Sequence, residues 1–264
     1  MIPFLYGTAW KEDRTPALVG LALENGFRGI DTANQRKHYF EAGVGEALAR
    51  AYASGLVTRA DLFLQTKFTY VDGQDHRLPY DPQAALAKQV EQSMASSLQH
   101  LGTDYVDSYV LHGPASGHGW TEADAEVWDA MVRERDAGRA KVLGVSNVSL
   151  QHLRQMPEAP AYVQNRCYAR FGWDRDVRAF CRKRGIVYQG FSLLTANPGV
   201  LQALAEFAPQ IGATPAQVVF QFARAVGMLP LTGTSNAEHM QQDLKSSELE
   251  LPEELIAAIE GIAG

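Results

Sequence analysis

The chain has 264 residues, 46% hydrophobic and 20% charged, which is the composition of a folded protein large enough to bury one sizeable α/β core. A formal charge of −6 and the lack of any basic run argue against a nucleic-acid binder, and two cysteines, Cys167 and Cys181, argue against a disulfide framework or a metal-ligand cluster. No stretch approaches the roughly 18 apolar residues of a membrane span, and no leader-like segment follows Met1, so a reduced, cytoplasmic protein without a membrane partner is expected.

Short β-rich runs then alternate with longer amphipathic ones. The spacing predicts strands at 4–9, 27–31, 62–68 and 105–112, followed in turn by helices at 16–24, 40–53, 82–101 and 122–137. It continues with a strand at 142–146 and a short helix from Leu150, then a strand at 163–167 and a helix at 175–183. A strand at 186–191 precedes two helical stretches, 200–207 and 215–225, and a strand at 228–232 precedes the final helix at 252–262. Gly26, Gly102, Gly138 and Gly185 stand where helices turn back into strands, positions that call for positive φ. Eight βα units with no linker predict a single-domain α/β fold over residues 1–264, a closed (β/α)8 TIM barrel. The rival is an open doubly wound sheet, which would carry a glycine-rich phosphate turn after its first strand. The segment Gly7-Thr8-Ala9-Trp10 is not such a turn.

In a barrel, chemistry gathers at the C-terminal ends of the strands. Asp31, Lys67 and His112 end the second, third and fourth predicted strands, and Tyr39 follows Asp31 in the loop. Taken singly, an Asp or Lys there reads as a solvated or structural ion pair, His112 as a cap or core histidine, and Tyr39 as nothing in particular. Together they make an acid–base site. A phenol titrates near pH 10, and a lysine beside it would favour the phenolate and lower that value. Asp31 would hold the lysine, and His112 would orient a carbonyl oxygen that receives the Tyr39 proton. The hydride must then come from a cofactor.

These residues resemble the aldo-keto reductase family nearly end to end. The similarity is carried by Gly26-Phe27-Arg28-Gly29-Ile30-Asp31-Thr32-Ala33, by Gly43-Val44-Gly45-Glu46-Ala47-Leu48 and by Leu64-Gln65-Thr66-Lys67. It extends through Tyr105-Val106-Asp107-Ser108-Tyr109-Val110-Leu111-His112 and is most specific in Gly138-Arg139-Ala140-Lys141-Val142-Leu143-Gly144-Val145-Ser146-Asn147. The resemblance implies reduction of a small carbonyl compound by NADPH or NADH, with a tetrad of Asp31, Tyr39, Lys67 and His112. It implies that Ser146, Asn147 and Gln164 hold the nicotinamide carboxamide, that Phe191 stacks on the ring, and that Ser192 and Leu194 follow the pyrophosphate. Gly7, Thr8 and Asp31 join the expected cofactor contacts. So do Gly233, Thr234 and Ser235, entering a helix at the adenosine end, with His239, Gln242 and Asp243 beyond them.

Three features depart from the family pattern. The loop from Thr32 to His38 is longer than usual, and its Arg36-Lys37-His38 run reads as a solvated charge cluster or, more sharply, as an attractor of anionic substrate. Gly233, His239, Gln242 and Asp243 replace the cations expected around a 2′-phosphate, which predicts a weakened NADPH preference. The chain ends after its last helix, so an open site is expected, with Trp10, Phe68, Trp173 and the 113–120 loop as pocket walls or as core caps. Two other functions compete: a nicotinamide-binding barrel acting as redox sensor or partner subunit with little turnover, and an aldolase using Lys67 as Schiff-base nucleophile.

Overall fold

Buried runs bounded by turns form the strands of the computed structural model, which describes residues 2–262. The strands are β1 (Leu5–Gly7), β2 (Gly29–Asp31), β3 (Phe63–Phe68), β4 (Val106–Leu111), β5 (Ala140–Ser146), β6 (Tyr162–Arg166), β7 (Val187–Phe191) and β8 (Met228–Thr232). All neighbours pair in parallel and in chain order, and β1 closes on β8 through Leu5 opposite Leu231 and Tyr6 opposite Thr232. The helices are α1 (Thr15–Glu24), α2 (Glu41–Ala53), α3 (Leu86–Leu101), α4 (Glu122–Asp136), α5 (Leu150–Gln155), α6 (Arg175–Lys183), α7 (Pro198–Ala203), α8 (Pro215–Ala225), α9 (Ala237–Lys245) and α10 (Glu253–Glu260). None is long and apolar enough to cross a membrane.

Several boundaries move from their predicted places for local reasons. The first strand stops at Gly7, where Thr8 makes the last ladder bond to the Asp31 carbonyl before Trp10 turns to φ 61°. The third helix starts at Leu86, after a turn in which the Asp81 carboxylate accepts the Gln83 N–H. Pro198 opens α7 two residues before the predicted stretch, as proline's fixed φ favours the first helical turn. The last helix is shorter at both ends than 252–262. Gly102 does take the left-handed conformation expected at the end of α3, with φ 63°.

Strand side chains alternate between helices and bore. On β3, Thr66 donates its hydroxyl to Glu41 of α2, while Gln65 and Lys67 project into the barrel. The outward layer packs against apolar helix faces such as Val44 and Leu48 of α2, Val90 and Met94 of α3, and Val127 and Met131 of α4. The bore is polar at its upper end. Gln65, Gln164 and Gln189 bond to one another, and the first two also donate to Asp31. This layer is the platform for the site.

Candidate active site

Asp31 ends β2 and is opposite Gln65 on β3, so the parallel register places Lys67 one pleat beyond it. Lys67, fully buried, donates to both Asp31 carboxylate oxygens at 2.7 Å and to the Thr32 carbonyl at 2.8 Å. Asp31 Oδ1 also accepts from Gln65 at 2.7 Å and Gln164 at 3.0 Å. Burial pulls the Lys67 amine below its ordinary value, opposed by the Asp31 charge and hydrogen bond. The ion pair is thus held from every side, as a buried pair must be.

Tyr39 reaches the same volume despite the long loop. Tyr39 and His38 donate their N–H groups to the Gln35 carbonyl, and Trp10 donates its own to the His38 carbonyl at 2.7 Å. Those bonds fold the loop over the strand end. The Tyr39 ring stands edge-to-face with His112, centroids 5.8 Å apart, and the Lys67 ammonium is 5.2 Å from the Tyr39 ring centre. Lys67 therefore faces the ring, with its hydrogen bonds committed to Asp31 and Thr32. The expectation that Lys67 lowers the phenol's pKa is corrected: burial, followed by the Asp31 charge, pushes it up. His112 Nδ1 is 2.7 Å from the Thr69 hydroxyl. Burial, with the Lys67 charge second, presses the imidazole down to about 3, so it is neutral at pH 7.

A cavity of about 1110 Å³ opens at this end of the barrel. Among the candidates, Gly7, Asp31, Tyr39, His112, Ser146, Asn147, Gln164, Phe191, Ser192, Leu194, Gly233, Thr234, His239, Gln242 and Asp243 line it. Lys67 lies behind Asp31, outside that wall. Thr8 is buried and donates its hydroxyl to the Asp31 carbonyl. Ser235 is also outside the lining, in the turn that leads into α9. Of the expected apolar walls, only Trp10 reaches the cavity, stacked on His38 at 4.1 Å. Phe68 and Trp173 are core residues, completely buried, and the 113–120 loop contributes no lining side chain. Arg36 and Lys37 also stay outside the lining.

The polar groups around the cavity keep distinct hydrogen-bond capacities. Ser146 donates its hydroxyl to the Gln164 carbonyl at 2.7 Å, and Asn147, at φ 56°, donates its amide to the His112 carbonyl at 2.7 Å. The side-chain oxygens of Asn147 and Gln164 receive no hydrogen bond from the described residues, so two acceptors remain for a ligand amide. At the opposite end, Asn236 caps α9 by accepting from the Glu238 and His239 N–H groups. Asp243 accepts from the Thr232 hydroxyl at 2.7 Å, and burial raises its carboxyl to about 6. Sequence reasoning missed Gln65 and Gln189, because a glutamine in a strand reads as solvent-facing. It also missed Lys11, a buried lysine that donates to the Gly233 carbonyl at 2.7 Å and that burial brings down to about 8.

The family model described as "Aldo/keto reductase family" matches residues 6–263. A Mycobacterium marinum protein named aldo-keto reductase is 32% identical over 260 residues, covering 95% of this chain and 83% of the relative. Human aldo-keto reductase family 1 member C1 is 27% identical, covering 92% and 80%. A solved structure, "Crystal structure of Gox0644 at apoform", superposes with a TM-score of 0.81 at 25% identity over 99% of this chain and 89% of the other. The chain belongs to the aldo-keto reductase family, whose members are oxidoreductases acting on carbonyl groups.

Proposed function

We infer that this protein reduces aldehydes or ketones to alcohols with NADPH or NADH, Tyr39 supplying the proton. The observation that carries the reading is the convergence of the Tyr39 ring, the neutral His112 and the Asp31 carboxylate on one cavity, with Lys67 locked to Asp31 behind it. The residues suit a nicotinamide dinucleotide. The open oxygens of Asn147 and Gln164 accept from a carboxamide, Phe191 offers a ring to stack on, and the Gly233–Thr234 turn leads to the N-terminus of α9. When bound, such a cofactor supplies the hydride.

The chain's own groups then handle the oxygen and its proton. Held neutral, His112 donates from Nε2 to the carbonyl oxygen when the Thr69 hydroxyl donates to Nδ1. The raised Tyr39 phenol stays protonated over the working pH range, which favours the reduction direction. An alkoxide forming beside it is the stronger base and takes the proton. The Asp31–Lys67 pair fixes the strand ends and presents an ammonium to the Tyr39 ring face. Lys67 itself is sealed from the cavity with all three protons donated, which removes the Schiff-base reading.

No lysine or arginine lines the adenosine end among the described residues, and Asp243 is there, so the 2′-phosphate gains little. Cofactor preference is accordingly narrow. Replacing Tyr39 by Phe tests the central role: carbonyl reduction should fall roughly 10²- to 10⁴-fold, the range of general acid catalysis, while cofactor titration is retained. A variant that keeps more than about a tenth of the rate removes Tyr39 as the acid. A wild type inert toward a broad aldehyde panel favours a cofactor-binding barrel with little turnover.

A further inference from the structure

A second hollow of about 270 Å³ adjoins the large cavity and shares Asn147, Arg166 and Tyr168 with it. Its other walls are Asn165, Phe171 and Asp174. Arg166 is the only lysine or arginine that lines the large cavity among the described residues. It ends β6, where its guanidinium sits 5.5 Å from the Phe191 ring centre and donates to the Tyr168 hydroxyl at 3.4 Å. Those contacts leave most of its five N–H donors unused.

The shape of the hollow comes from a strained turn. Gly172, Trp173 and Asp174 take φ of 69°, 57° and 57° in succession, two of them without glycine's freedom. Trp173 anchors the turn from the core, donating its indole N–H to the Ile259 carbonyl at 3.0 Å. Phe171 is thereby left 69% exposed at the rim. Asp174 also lines the hollow, and it accepts from the Asn165 amide and the Tyr188 hydroxyl, each at 2.8 Å. Asn165 is committed too, accepting the Val148 N–H and donating to the Val148 carbonyl. The spare donors that face the hollow, Arg166 and the Tyr168 hydroxyl, share one wall.

We propose that this wall is an anion subsite, in which Arg166 and Tyr168 take a carboxylate carried by the carbonyl substrate, so that the enzyme selects oxo-acids over their neutral counterparts. The assignment rests on the carbonyl-reductase reading above. A guanidinium fork matches a carboxylate with two parallel hydrogen bonds and keeps its charge at any working pH. Asn147 lines both cavities and donates its amide to the His112 carbonyl, so the subsite opens onto the cavity that His112 and Tyr39 line. Asp174, in the same lining, disfavours a second negative group. The competing ligand for Arg166 is a phosphate of the cofactor.

The test compares 4-carboxybenzaldehyde with its neutral amide, 4-carbamoylbenzaldehyde, in wild type, Arg166→Gln and Asp174→Asn. The acid-to-amide ratio of kcat/KM should exceed one in wild type and drop about tenfold in Arg166→Gln, the scale of one charge-assisted contact. It should rise a few-fold in Asp174→Asn, the opposite direction, which general damage to the site does not produce. A ratio unchanged by Arg166→Gln overturns the subsite. So does a loss confined to cofactor affinity, which assigns Arg166 to a phosphate. If wild type reduces neither aldehyde, the reductase reading fails. Calorimetric titration with 4-methylbenzoate against 4-methylbenzamide then decides the subsite alone: benzoate binding abolished by Arg166→Gln upholds it, and equal or absent binding of the two overturns it.

Discussion

Lys67 donates all three of its protons to acceptors on two residues and is fully buried, so its replacement removes more than a charge. Lys67→Met leaves the Asp31 carboxyl in the barrel with only two glutamine amides as side-chain partners. Breaking one side of a buried pair costs about 3–5 kcal/mol, and we expect denaturant unfolding to show a loss of that size. Adding Asp31→Asn should restore part of it, since neither partner is then charged. A single variant within about 1 kcal/mol of wild type contradicts the locked-pair description. At this scale the positions of Asp31, Lys67 and His112 at or beside the ends of β2, β3 and β4 were readable from the strand pattern. Two things were not. Gln65 and Gln189 look like surface residues until closure turns them inward. The direction of the Tyr39 shift follows from burial and the Asp31 charge, which spacing along the chain cannot carry.

Among the elements, the strand-and-helix alternation was legible throughout, because buried parallel strands are near-continuous apolar runs and amphipathic helices keep their period. What escaped was set by loop contacts: the early end of β1 at Gly7, the late start of α3, and the left-handed turn before α6 beside the second hollow. The helix α9 was visible only at its entrance, yet it carries His239, Gln242 and Asp243 to the cavity, at the end proposed for the adenosine. None of the three is a permanent cation, so the ratio of NADPH to NADH dissociation constants should stay well inside a thousandfold. His239→Arg should tighten NADPH about tenfold and leave NADH nearly unchanged, because only the phosphorylated cofactor offers a charge-assisted partner. Fluorescence titration of both cofactors measures this. A wild-type preference for NADPH beyond about a thousandfold, some 4 kcal/mol, contradicts the weakened phosphate site.

For the whole molecule, His112 and Asp243 contribute to the response of stability to acid with opposite sign. His112 falls to about 3 in the folded state from an ordinary 6.5, so below pH 6.5 the unfolded chain binds the proton first. Its contribution is fully present above 6.5 and is lost on acidification, at up to about 1.4 kcal/mol per pH unit. Asp243 rises to about 6 from 3.8, so between those values the folded protein takes the proton first and acid stabilises it. The two slopes oppose each other from pH 6 to 4, and the wild type should lose little through them in that window. Separating them exposes both. His112→Gln should become more stable as pH falls from 6 to 4, and Asp243→Asn should become steadily less stable over the same range, in urea titrations at fixed ionic strength. Equal slopes in the two variants would mean that the mouth of the barrel does not exclude water from these groups. The dry cavity wall that keeps His112 neutral and Tyr39 protonated would then be lost as a basis for the proton transfer.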